Sequence, residues 1–134
     1  MKRILVLLTV TLGFSLFSFK VLNDQPKKPW VAPANYLKMK NPVPSNSDAL
    51  SDAKSLWGMH CKSCHGTKGK GDGPKAAQLN TDPGDFSNAQ EQSQPDGSLF
   101  YKISEGRGDM PSFKKKIPDA QDIWSLVDYI RTLK

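Results

Sequence analysis

Cysteine is scarce in this chain: two in 134 residues, Cys61 and Cys64. With both in one short motif, no disulfide remains to staple the fold, and the cysteine count alone leaves the compartment open. Histidine is equally scarce, at two residues, His60 and His65. An excess of either charge sign is missing from the C-terminal two-thirds. From Ser47 to Lys134, ten Lys and two Arg face ten Asp and two Glu, a net charge of zero. The formal charge of +6 therefore belongs to the N-terminal part: +4 from residues 20–46 and +2 from Lys2 and Arg3. A nucleic-acid-binding unit needs a basic face on the folded domain itself, so that class is excluded.

What the chain does have is Cys61-Lys62-Ser63-Cys64-His65. Cys-x-x-Cys-His is the attachment signature of c-type haem. Two thiols three positions apart reach two vinyl groups of one porphyrin, and the imidazole that follows becomes the proximal iron ligand. A redox dithiol of thioredoxin type wants βαβ surroundings, and no such pattern is present. A tetrahedral zinc site needs four ligands, and His60, Cys61, Cys64 and His65 are crowded into six consecutive residues. A disulfide across this spacing closes a strained loop that cross-links little. With only 37% apolar residues, the core is modest, and a haem would supply much of the missing apolar mass.

Thioether attachment takes place on the far side of the membrane, and the N-terminus agrees. Lys2 and Arg3 precede an uncharged, largely apolar run at residues 4–19, followed by Lys20. That is the layout of an export signal. The run lacks a small-residue cleavage site and is slightly short for a comfortable span. Two readings of residues 1–20 stand: a removed signal peptide, or a retained membrane anchor. Either places the remainder in the periplasm or on the outer face of the cytoplasmic membrane.

Residues 21–46 read as a basic linker with Pro26, Pro29, Pro33, Pro42 and Pro44 and no helical or strand period. Proline at that density favours a semi-rigid extended spacer, with Trp30, Tyr36 and Met39 packing loosely on the domain. The domain spans 47–134. Its first helix is expected over 48–60, capped by Ser47, with Ala53 and Trp57 on the apolar face. Four glycines and Pro74 then make a loop over residues 66–74. A carbonyl near Pro74 is a candidate acceptor for the Nδ1 proton of His65. Residues 76–79 suit one helical turn, and Phe86 is expected as an apolar anchor beside the haem. A middle helix is expected over 97–105, capped by Asp96. A final helix runs from a cap at Asp119 to about Leu133, with room to cross the first helix at Ala53.

Between the last two helices lies Gly106-Arg107-Gly108-Asp109-Met110-Pro111. A methionine between a Gly-rich turn and a proline is poorly placed for a helix core. Its thioether is the expected sixth ligand, opposite His65. Met39 and Met59 precede the attachment motif, so only Met110 lies far enough along to return on the distal face. Lys114-Lys115-Lys116 follows directly and would sit near the haem edge, where an acidic partner can be steered in.

From about Ser47 to Lys134 the chain resembles monohaem class I cytochrome c of the small bacterial exported kind. The resemblance rests on Cys61-x-x-Cys64-His65-Gly66, Gly73-Pro74, Met110-Pro111 and the terminal helix with Trp124 and Tyr129. It implies an all-α fold of three to five helices around one covalent haem c, with the first and last helices of the domain crossing. It implies thioethers at Cys61 and Cys64, with His65 and Met110 as axial ligands. The function implied is one-electron transfer without catalysis, between a quinol-oxidising complex and a terminal oxidase or other reductase. Two alternatives accompany it: a cytochrome subunit fixed in a larger respiratory complex, and a haem enzyme or gas sensor with a labile sixth ligand. The family often has Gly where Ala53 stands, so the helix crossing is expected to be slightly wider.

Overall fold

The computed structural model describes residues 29–134. The apolar run at 4–19 and the first residues of the linker lie outside the described residues. Among the described residues the fold has six helices and one 3-10 turn: α1 (Ala34–Leu37), α2 (Ser47–His60), α3 (Lys62–His65), the 3-10 turn Ala76–Gln78, α4 (Ala89–Gln92), α5 (Asp96–Glu105) and α6 (Ala120–Arg131). No strand occurs among the described residues; the only pairing outside the helices is one isolated bridge, Arg107 to Met110. The fold is therefore all-α, as expected. Among the described residues no helix is long and apolar enough to cross a membrane.

Helices α2 and α6 make the most extensive contact between elements. Helix α2 buries Ala53 and Trp57, and α6 buries a stripe with Ile123, Trp124, Val127 and Ile130. Those positions recur at the three-and-four spacing that aligns side chains along one helical face. Ala53 is fully buried, and its small side chain suits a close crossing of two backbones. Helix α5 adds Leu99 and Ile103 to the same core, where Phe113 and Ile117 join from the loop before α6.

Helix starts differ from the sequence reading by one residue. The cap of α2 is Asn46, whose side-chain oxygen accepts from the backbone N–H of Asp48 and Ala49; Ser47 is the first helical residue. Asp96 likewise opens α5 from inside, after Pro95. Its carboxylate accepts instead from Arg131, whose guanidinium also donates to the carbonyls of Gln92 and Gln94. This clamp fixes the end of α6 to the start of α5. Asp119 caps α6 as expected, accepting from Gln121 N–H.

The stretch expected to pack loosely does more than that. Residues 29–46 cross the domain surface as a strap, with α1 at its centre. Tyr36 packs on Tyr101 at 4.9 Å and Phe100 at 6.4 Å between centroids, and Phe100 stacks on Trp124 at 4.3 Å. Asn41 donates from Nδ2 to the Trp124 carbonyl (3.1 Å) and to Asp128 Oδ1 (2.8 Å). Gly97 makes this close approach possible: a Cβ there would lie 1.9 Å from the Tyr36 carbonyl oxygen. Proline content predicted an extended spacer; ring contacts of Tyr36 and the hydrogen bonds of Asn41 hold residues 29–46 on the domain.

Candidate haem site

Helix α2 ends as the attachment motif begins, and α3 is the motif itself. Cys61 N–H donates to the Trp57 carbonyl, and the N–H groups of Cys64 and His65 both return to the Cys61 carbonyl at 3.1 and 3.0 Å. This tight turn brings both sulfurs and the imidazole to the wall of one cavity. The loop after it folds back on the motif: Gly71 N–H donates to His65 O, Gly73 N–H to Cys64 O, and Lys75 N–H to Ser63 O. Trp57 Nε1 donates to Gly66 O at 3.0 Å from inside the core. The motif is thus held along its whole length by backbone bonds and one indole.

Met110 enters from the other side of the sequence. Arg107 and Met110 exchange both backbone bonds, at 2.8 and 3.1 Å. Gly106 begins the turn with φ +67°, and a Cβ there would lie 2.5 Å from the Met110 carbonyl oxygen; glycine alone tolerates both conditions. The Asp109 carboxylate accepts from the backbone N–H of Asn80 (2.8 Å) and Thr81 (3.0 Å). Phe113 N–H donates to Ile103 O, joining the loop to α5.

The two segments face a single mostly apolar cavity of about 290 Å³. Cys61, Cys64, His65, Phe86 and Met110 all line it, together with Leu99, Ile103, Phe113, Leu126 and Ile130. Phe86 is buried and lies 5.2 Å from the His65 ring and 6.0 Å from Trp57 between centroids. Pro74 is not in this wall; it is exposed beside a small recess with Lys62, Gly66 and Asp72. His65 Nδ1 is buried and has no hydrogen-bond partner among the described residues. Burial pushes the His65 imidazole below its ordinary range, while the Pro83 carbonyl partly opposes that shift. A neutral imidazole is the ligand form.

Burial and the neighbouring Cys64 push the Cys61 thiol up to about 12. It is therefore a neutral thiol at physiological pH. A redox dithiol works through a lowered thiol pKa, so that rival chemistry loses ground. Among the described residues no three His, Cys, Asp or Glu gather to hold a bare metal ion. Two free thiols, one imidazole with a buried, unpartnered Nδ1 and one thioether around an apolar cavity fit a flat iron porphyrin. The sequence reading did not anticipate Trp30, Lys102 and Arg107 in the cavity wall. Trp30 was assigned to the linker, and the signal that marks it, an indole in a proline-rich stretch, has no periodicity to place it.

A family model described as "Cytochrome C oxidase, cbb3-type, subunit III" matches residues 48–130. Among solved structures, the chain is similar to "KustC0563 c-type cytochrome", at 29% identity and TM-score 0.55, over 62% of this chain and 98% of that one. It also shares its fold with a chain of the Kuenenia stuttgartiensis "reducing HAO-like protein complex Kustc0457/Kustc0458", at 24% identity and TM-score 0.60. That match covers 69% of this chain but only 46% of the other. No curated protein matches.

Proposed function

The chain belongs to the family of c-type cytochrome domains described as cytochrome c oxidase, cbb3-type, subunit III, and we propose that it is an exported one-electron carrier with His65 and Met110 as its axial ligands. Membership brings covalently bound haem c, held through Cys61 and Cys64, and haem-based electron transfer. The observation that carries the ligand assignment is that His65 and Met110 line the same apolar cavity as both thiols.

When bound, the haem supplies a one-electron Fe(III)/Fe(II) couple. The chain's own residues set the conditions for that couple. His65 presents a neutral nitrogen because burial disfavours its protonation. Phe86, Leu99, Ile103 and Phe113 exclude water from the cavity. The Arg107–Met110 bridge and the Asp109 bonds to Asn80 and Thr81 fix the Met110 backbone. With His65 and Met110 both holding the iron, no position would be left open for oxygen or peroxide, and the protein would act as a carrier. The residue-4–19 run and the +4 charge of residues 20–46 support export and action at the outer face of the membrane. There it passes electrons between redox proteins, from a quinol-oxidising complex to a terminal oxidase or other reductase.

Met110→Ala tests the assignment. The variant is expected to keep its covalent haem, lose the long-wavelength ferric band of the iron–thioether bond, and drop in reduction potential. A Met110→Ala protein with that band intact would overturn the ligand pair. A second reading, a subunit fixed in a larger complex, is favoured by the family description; co-purification with a partner in mild detergent supports it over a free shuttle.

A further inference from the structure

The strap at 29–46 uses its inner side on the domain and leaves an outer side bare. Inward, Trp30 lines the haem cavity, with Lys102 Nζ 5.5 Å and Arg107 Cζ 4.9 Å from its ring centroid. Ala32 is buried, Tyr36 packs on Phe100 and Tyr101, and Asn41 bonds to α6. Outward stand Val31, Leu37 and Met39, exposed to 70%, 38% and 39%. Among the described residues the other exposed large apolar side chain is Met59. Single exposed apolar groups are ordinary on a protein surface, but a cluster of them marks a contact site.

Lys38 and Lys40 alternate with these side chains and are exposed. Among the described residues neither is in an ion pair. Residues 25–46 hold four Lys and no Asp or Glu, whereas residues 47–134 sum to zero. Apolar tips between lysines suit a bilayer surface of negative sign. The tips enter the headgroup boundary while the ammonium groups stay at the level of the phosphates. Position along the chain favours lipid over a protein partner. Ten residues, 20–29, separate the apolar run 4–19 from Trp30, and fully extended they span only about 35 Å. With that run held in the membrane, the strap meets lipid at high effective concentration, and weak contacts suffice.

We propose that the outer face of the strap, Val31, Leu37 and Met39 with Lys38 and Lys40, docks on anionic lipid headgroups. The docking rests on the export reading above and not on the ligand pair of the iron. It lies outside the family-matched residues 48–130, and it sets the Trp30 side of the haem cavity toward the bilayer.

Oxidation of the haem-loaded full chain tests it, because Met39 lies in this face and Met59 lies on α2. The chain is reconstituted into vesicles of phosphatidylcholine, with or without phosphatidylglycerol, and treated briefly with hydrogen peroxide. Mass spectrometry then counts the sulfoxide at each methionine. With phosphatidylglycerol present, Met39 is expected to oxidise several-fold more slowly while Met59 is unchanged, and about 1 M salt removes the difference. Lys38→Gln and Lys40→Gln each lower the docked-to-undocked ratio about fivefold. Equal rates at Met39 in the two vesicles, or protection that survives the double lysine variant, overturn anionic docking. Equal slowing at Met39 and Met59 overturns the assignment to the strap. Protection in detergent that grows with protein concentration gives the face to a second copy and overturns the proposal as well. A chain without haem would instead overturn the function above, and a visible spectrum recorded first shows that separately.

Discussion

Helix α2 meets α6 through a buried face containing Ala53 and Trp57, whereas the strap at 29–46 meets α6 through Asn41, at the Trp124 carbonyl and Asp128. The first contact is apolar and excludes water; the second is a set of hydrogen bonds and ring contacts at a half-buried edge. Apolar burial is non-directional and insensitive to pH. The strap depends on a few groups: the Tyr36 ring, the Asn41 amide, the Asp128 carboxylate and the missing side chain of Gly97. The difference teaches that the crossing of α2 and α6 is robust while the strap that completes the cavity wall is held lightly. Loss of the strap would expose the mouth of the cavity without unfolding its floor.

The largest expected effect comes from filling the helix crossing. Ala53 is fully buried, so Ala53→Leu overpacks it and costs about 1–3 kcal/mol, a drop of roughly 4–8 °C in Tm per kcal/mol. Thermal unfolding of the haem-loaded protein measures it. A variant as stable as the native protein would show that the crossing has slack.

Gly97→Ala probes the strap. Its Cβ would collide with the Tyr36 carbonyl, yet alanine favours the helix by up to about 1 kcal/mol. The expected outcome is local: hydrogen exchange speeds up over residues 29–46 while α2 and α6 keep their protection. Equal exchange in both regions would break the comparison.

Asp128→Asn gives the smallest effect, and its sign depends on pH. Burial, the first cause, raises the Asp128 pKa, with the Asn41 bond partly opposing it; Oδ2 is buried without a partner although the residue as a whole is only partly covered. A raised pKa means that the folded protein binds the proton more tightly than the unfolded chain. This group's contribution is then fully present below the unfolded pKa and lost as pH rises through the folded value. Asp128→Asn is therefore expected to gain stability at neutral pH, by less than about 1 kcal/mol, and to lose that gain below about pH 4. Denaturant midpoints at the two pH values check it.

Much of this site is legible in the sequence because its proximal half is contiguous. Cys61, Cys64 and His65 lie within one turn of backbone, so spacing alone fixes their geometry. Elimination among four methionines and a Gly-rich turn single out Met110, and the structure puts it in the same cavity wall. The helix caps were missed by one residue at α2 because Asn46 and Ser47 are both good caps and sit side by side. Which carbonyl faces the His65 imidazole is not legible in the sequence, because a loop carbonyl's direction is not encoded by spacing.

Local chemistry determined that this chain attaches a haem, folds as helices and lacks a basic face for nucleic acid, since each follows from residues near one another or from a simple sum of charges. Only the tertiary structure decided that the proline-rich strap belongs to the site. Trp30 is more than seventy residues from Lys102 and Arg107, and no pattern along the chain brings those three together. The contact exists because Tyr36 and Asn41 find aromatic and carbonyl partners on α5 and α6, which is a property of packed surfaces and not of sequence intervals.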